Sequence, residues 1–284
     1  MPARVWVICL GLIGLLATAV VGLDAWQTRQ GETSIFGFAW GRGEHALPSP
    51  RHVAAPPAVP VEPGIARLAV VVDGFGARQD LFDQVATIDR PLTIAVLPEL
   101  PLSGRIGRDA ARAGFEVLVQ VPMEPYRYPE LDPGPGTVLL SMSRDEVVAV
   151  TARHLAAAPS AVGVVGHMGS RFTEDREHMR ALLTRVRERG LIFIDAMASN
   201  LSVAGDSARA MGVRSARRQV RVEHTGGEGL ARRHLEDAGR AAERRGEAVA
   251  MVSGHPLTIR LLKEYIPLWE ARGIRIVPAS RLAR

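Results

Sequence analysis

Residues 67–76 read RLAVVVDGFG. Apolar residues run without a break from Leu68 to Val72, and Asp73-Gly74 then ends the run. A strand with one wet face alternates apolar and polar residues, whereas a strand covered on both faces has no need to. RLAVVV (67–72) is of the second kind. The same texture returns in LTIAVL (92–97), FEVLVQV (115–121), AVGVV (161–165), LIFID (191–195), EAVAMV (247–252) and IRIVP (274–278). GVRSARRQVRVE (212–223) has room for one more strand.

Amphipathic stretches lie between these runs. SRDEVVAVTARHLAAA opens with Ser143 and Glu146 at the spacing of a capping box. EDREHMRALLTRVRERG closes at Gly190 and EGLARRHLEDAGRAAERRG at Gly246, as helices do. Buried strands alternating with helices predict an α/β fold with a parallel sheet. Seven or so such units suit a distorted (β/α) barrel of about seven strands. A doubly wound open sheet is the alternative. No internal repeat is present.

The front of the chain has a different character. Val5–Leu23 is apolar or small throughout and carries no charge, a length that spans a bilayer core. Arg4 before it and Asp24 after it set an N-terminus held in the cytoplasm. The run reads as a signal anchor; a signal peptide cut after Ala17-Thr18-Ala19 is the other reading. Either exports the remainder of the chain, which predicts a single-pass inner-membrane protein with its C-terminal domain in the periplasm. Residues 24–64, rich in Pro and Ala, read as a linker, and 65–284 as the folded domain.

Composition narrows the chemistry. Cys9, inside the apolar run, is the only cysteine, so the exported part has neither a disulfide nor a thiolate metal site. Any metal there needs His and carboxylate ligands. The net charge of +5 comes from arginines interleaved with acids along helices. That is a solvated-helix pattern without aromatic interleaving, and it argues against nucleic acid as a partner.

In α/β folds the strands' C-terminal ends form the site. Asp73 follows VVV, Glu124 follows VQVPM, and His167 follows VVG with Ser170 and Arg171 close behind. Asp195 ends LIFID, and His255 follows AMVSG. Singly, each has a structural reading: Asp73 and Asp195 as helix caps, Glu124 as a loop acid, the histidines as turn residues. Together they form the set that hydrolysis needs: a base or metal for water, an acid for the leaving group, carboxylates to orient them. No phosphate-binding loop and no Gly-x-Ser-x-Gly elbow is present.

Seven motifs occur here in one order: VVVDGFG, EVLVQVPMEP, PGPGTVLL, GVVGHMGSRFT, RGLIFIDA, SVA and SGHP. In that order they resemble the divergent polysaccharide deacetylase family, over about residues 65–284. The resemblance implies a seven-stranded distorted barrel, a divalent metal such as zinc, and hydrolysis of N-acetyl groups on an amino-sugar polymer of the envelope. It implies Asp73, Asp195 and His255 as catalytic groups, Glu124 and Arg171 as substrate contacts, and Asp73, His167 and His255 as metal ligands. Two positions depart from the pattern. Gly74 stands where a second aspartate is common, and Gln120 where histidine is common. The enzyme reading therefore has a rival: a binding or scaffold module on a degenerate deacetylase fold. A third reading pairs Glu124 and Asp195 as hydrolytic carboxylates.

Overall fold

The computed structural model describes residues 64–284. The expected membrane segment, Val5–Leu23, and nearly all of the expected linker lie outside the described residues. Among the described residues no helix is long and apolar enough to cross a membrane.

The chain alternates strand and helix as expected. The first half runs β1 (Ala66–Phe75), α1 (Gln79–Ala86), β2 (Thr93–Val96), α2 (Ser103–Arg112), β3 (Glu116–Met123), α3 (Arg144–Ala157) and β4 (Gly163–Met168). The second half runs α4 (Arg176–Glu188), β5 (Ile192–Asp195), α5 (Ala204–Ala210), β6 (Ser215–Arg217), β7 (Val220–Val222), α6 (Gly227–Arg245), β8 (Glu247–Ser253), α7 (Pro256–Ala271) and β9 (Ile274–Val277). The predicted capping box forms: Ser143 accepts from the Glu146 N–H, and Glu146 reaches back to the Ser143 N–H. Gly246 ends α6 at φ 75°.

All strand pairs are parallel, in the order β6-β5-β4-β3-β2-β1-β8-β7. The end strands β6 and β7 are consecutive in the chain. Between them the Arg218 N–H bonds to the Asp195 carbonyl of β5 (2.9 Å), and the Gln219 N–H to the Val249 carbonyl of β8 (2.9 Å). The Gln219 side chain accepts the Val249 N–H in turn (2.6 Å). One extended segment thus hands over from β5 to β8 and joins the ends of the sheet. The result is a distorted barrel with seven positions around its ring. The expected seventh strand, IRIVP, is not in that ring. It is β9, which pairs only with Ala66–Ala69 at the start of β1. The 212–223 segment closes the barrel instead.

Strand alternation sorts the side chains. Ala69 and Val71, Ala95, Leu118, Val165, Ile192 and Ile194, and Val249 and Met251 fill the interior. Leu68, Val70, Val72, Val117, Val119, Val164 and Phe193 pack outward against the helices. Both faces are apolar, which explains the unbroken runs in the sequence. Val277, Ala279, Leu282 and Ala283 join the interior cluster. They enter where the strands begin: the Ala279 N–H bonds to Thr93 and the Ser280 N–H to Glu116, the first residues of β2 and β3. The C-terminal residues therefore stopper one end, and the other end is the mouth.

Candidate functional site at the barrel mouth

The inward parity of the strands continues past the apolar layers. After Val71 the next inward residue of β1 is Asp73, after Leu118 it is Gln120, after Val165 His167, and after Met251 Ser253. Asp73, Gln120 and Ser253 are buried, and His167 is partly so. A bulge aims Asp73: the β1–β2 register slips between Val72 and Phe75. Gly74 allows this turn, at φ 87°, where a side chain would be strained. Gly254 allows another close approach, since a Cβ there would stand 2.7 Å from the Asp73 carbonyl oxygen.

Gln120 ties the floor together. Its Oε1 accepts the Gly74 N–H (2.8 Å). Its Nε2 donates to Asp73 Oδ2 (3.3 Å) and lies 3.1 Å from His167 Nδ1. With the amide as donor, Nδ1 is an acceptor and the His167 proton sits on Nε2. Burial pushes the His167 pKa down and favours this neutral ring.

Arg221 of β7 forms an ion pair with Asp73 and another with Glu223. Burial pushes the Asp73 carboxyl up, and Arg221 opposes that without cancelling it. Burial also works against the Arg221 charge, but Asp73 and Glu223 outweigh it and raise the guanidinium's pKa. Arg218, from the hand-over segment, donates from Nη2 to the Met197 carbonyl (2.8 Å). Neither arginine was among the residues expected from the sequence. For Arg221 the signal was the alternation in QVRVE, which sets Arg221 opposite in face to buried Val222; Arg218 lies at the hand-over, where no alternation marks it.

The expected residues divide. Asp73 and His167 sit on the mouth floor, linked through Gln120. His255 lies at the same end, because β4 and β8 run parallel, but it joins a different group. It caps α7, with its Nδ1 accepting the Leu257 N–H (3.2 Å). Its ring stacks on His224 at 4.1 Å between centroids and 7° between planes. His224 Nδ1 lies 3.3 Å from Ser253 Oγ. Burial, then His224 and Arg78, push the His255 pKa down.

Asp195 and Glu124 serve the loops. Ile192 and Ile194 take the inward positions of β5, so Asp195 faces outward. There it accepts the N–H groups of Met197 (2.9 Å) and Gly205 (3.2 Å) and the Ser202 hydroxyl (3.3 Å), which anchors the start of α5. Buried Glu124 takes Arg171 on one oxygen (2.7 Å) and the Leu140 N–H on the other (2.6 Å), stapling two rim loops. Each carboxylate is thus held by its own loop partners.

The metal expected on Asp73, His167 and His255 does not fit this donor set. Among the described residues no three His, Cys, Asp or Glu side chains are arranged to hold one. Asp73 already faces a fixed cation, His167 Nδ1 is engaged by an amide, and His255 belongs to another cluster. A catalytic zinc needs about three protein ligands.

Comparison with other proteins places the chain. It is 30% identical over 200 residues to the uncharacterized protein YibQ of Escherichia coli K12, across 70% of this chain and 62% of that one. The match thus spans less than two thirds of YibQ. An uncharacterized protein of Haemophilus influenzae is 27% identical over 197 residues, across 69% of this chain and 70% of its own. The crystal structure of the uncharacterized protein ATU2773 from Agrobacterium tumefaciens C58 has a TM-score of 0.70 at 28% identity, covering 80% of this chain and 93% of that one. The model of one family, the divergent polysaccharide deacetylases, matches residues 70–283, every strand tip of the mouth included. Barrel, motifs and match agree, and the chain belongs to the divergent polysaccharide deacetylase family.

Proposed function

We propose that this chain is an exported, membrane-tethered protein that holds an amino-sugar polymer of the envelope at its barrel mouth and does not hydrolyse it. The observation that carries this reading is the Arg221–Asp73 ion pair. A guanidinium stands against the carboxylate on which a deacetylase of this family would place its metal, and Gln120 occupies the space between Asp73 and His167. The rim supports the binding half of the proposal. Tyr126, Tyr128, Leu131, Met168 and Leu201 are exposed, and all lie on the loops or strand tip at the mouth. Such side chains suit the apolar faces of sugar rings. Export rests on Val5–Leu23, which would anchor the chain in the inner membrane with the barrel in the periplasm.

The second reading, hydrolysis of N-acetyl groups, is favoured by Asp73 and His167 sharing the floor, each bonded to Gln120. One experiment separates the two. The full-length chain in detergent is incubated with insoluble chitin or peptidoglycan, with zinc or with a chelator, and both retention and free acetate are measured. The expected result is retention under both conditions with no acetate above the protein-free control. Acetate release that zinc restores and the chelator removes would establish the deacetylase reading instead.

A further inference from the structure

We propose that Arg218 makes the barrel mouth a recognition site for a carboxylate, so that the bound glycan is an acidic one; this rests on the glycan-binding reading above. Arg218 is half-buried between the tip of β5 and the hand-over segment. Its backbone N–H is held by the Asp195 carbonyl (2.9 Å), and its Nη2 donates to the Met197 carbonyl (2.8 Å). Its Nε is enclosed and has no acceptor. Among the described residues no carboxylate forms an ion pair with it. The acids around it are committed elsewhere: Asp73 and Glu223 to Arg221, and Asp195 to Met197, Gly205 and Ser202, with Arg217 at 3.6 Å.

An enclosed cation is costly unless paired, and the fork of a guanidinium matches a carboxylate in two parallel hydrogen bonds. Its Nε is walled in, and Nη2 spends one N–H on Met197, so the remaining Nη1 and Nη2 N–H groups are the fork left for that purpose. The charge of the floor selects among anions. Asp73 and Glu223 stand beside Arg221, so a carboxylate with one negative charge is opposed less than a phosphate dianion with two. Arg171, the arginine first expected to touch substrate, is already bound to Glu124.

The test uses the full-length chain in detergent and soluble ligands that differ in one group. Chitobiose is compared with a disaccharide of N-acetylglucosamine and N-acetylmuramic acid, whose lactyl group supplies a carboxylate; lactate alone and inorganic phosphate complete the set. Affinities are read by calorimetry for the parent, Arg218→Gln and Arg218→Lys, with circular dichroism confirming that each variant is folded. The expected result is at least about tenfold tighter binding of the acidic disaccharide, weakened by salt. Arg218→Gln should erase that preference, bringing the two disaccharides to similar affinity, while Arg218→Lys keeps part of it. Equal affinity for the two disaccharides in the parent overturns the inference and leaves the glycan reading standing. Lactate binding that depends on Arg218, with no binding of either disaccharide, keeps the carboxylate site and ends the glycan reading. Phosphate bound more tightly than lactate overturns the choice of carboxylate.

Discussion

Where the strands begin, the barrel is closed by Val277, Ala279, Leu282 and Ala283 packed on Ala69, Val71 and Val249. Where they end, the same inward positions carry Asp73, Gln120, His167 and Ser253, with Arg221 laid across them. The stopper asks only for apolar volume, and its stabilisation is spread over many contacts, each replaceable by another of similar size. The mouth asks for particular partners. Remove one, and another is left buried and unsatisfied. Tolerance to substitution should therefore differ sharply between the two ends, and that difference can be measured.

The largest effect is expected at the mouth. Arg221→Ala leaves Asp73 buried without its counter-charge and should destabilise the fold by about 3–5 kcal/mol in urea unfolding. Adding Asp73→Ala should return much of the loss, because the stranded charge goes with it. At the stopper, Leu282→Ala should cost about 2–4 kcal/mol, the price of a cavity. No second deletion nearby should restore that loss. If Leu282→Ala could be rescued by another truncation, or Arg221→Ala could not, the contrast between the ends would be wrong.

A smaller effect concerns His154, buried beneath the rim loops with Glu99 Oε1 3.4 Å from its Nε2. Burial pushes its pKa down to about 4, against the pull of Glu99. In the unfolded chain the same ring titrates near 6.5. Above that pH both states are neutral and the group contributes nothing to the balance. Between 6.5 and about 4 only the unfolded chain takes up the proton. Stability should thus fall as the pH is lowered through this window, by at most about 3 kcal/mol. His154→Gln should flatten the profile there. A parent curve that is flat across the window would show that His154 can be protonated in place.

The sequence carried the scaffold well, because buried parallel strands announce themselves as apolar runs and Ser143, Gly190 and Gly246 mark helix ends. It also located Asp73 and His167, since both follow such runs directly. It offered one more strand in 212–223 but did not show that this segment splits into β6 and β7 and closes the barrel. RRQVRV is polar on every second residue, and its two halves pair with strands more than fifty residues apart in sequence, β5 and β8. The arginines were read as solvated charges because so many others interleave with acids along the helical stretches. Asp195 was placed by its position at a strand end, but its parity turns it away from the interior. Strand ends are legible from a run of apolar residues. Which way the last residue faces depends on the register, which neighbouring strands set.

The proposal that matters most is that Arg221, paired with Asp73, stands where a metal would bind. It is tested directly by titrating zinc into the full-length chain at neutral pH by calorimetry, alongside Arg221→Ala/Gln120→His. The account predicts no stoichiometric zinc binding by the parent and one zinc gained by the double variant, where two histidines and Asp73 are freed as ligands. One zinc bound tightly by the parent, and lost in His167→Ala, would contradict it.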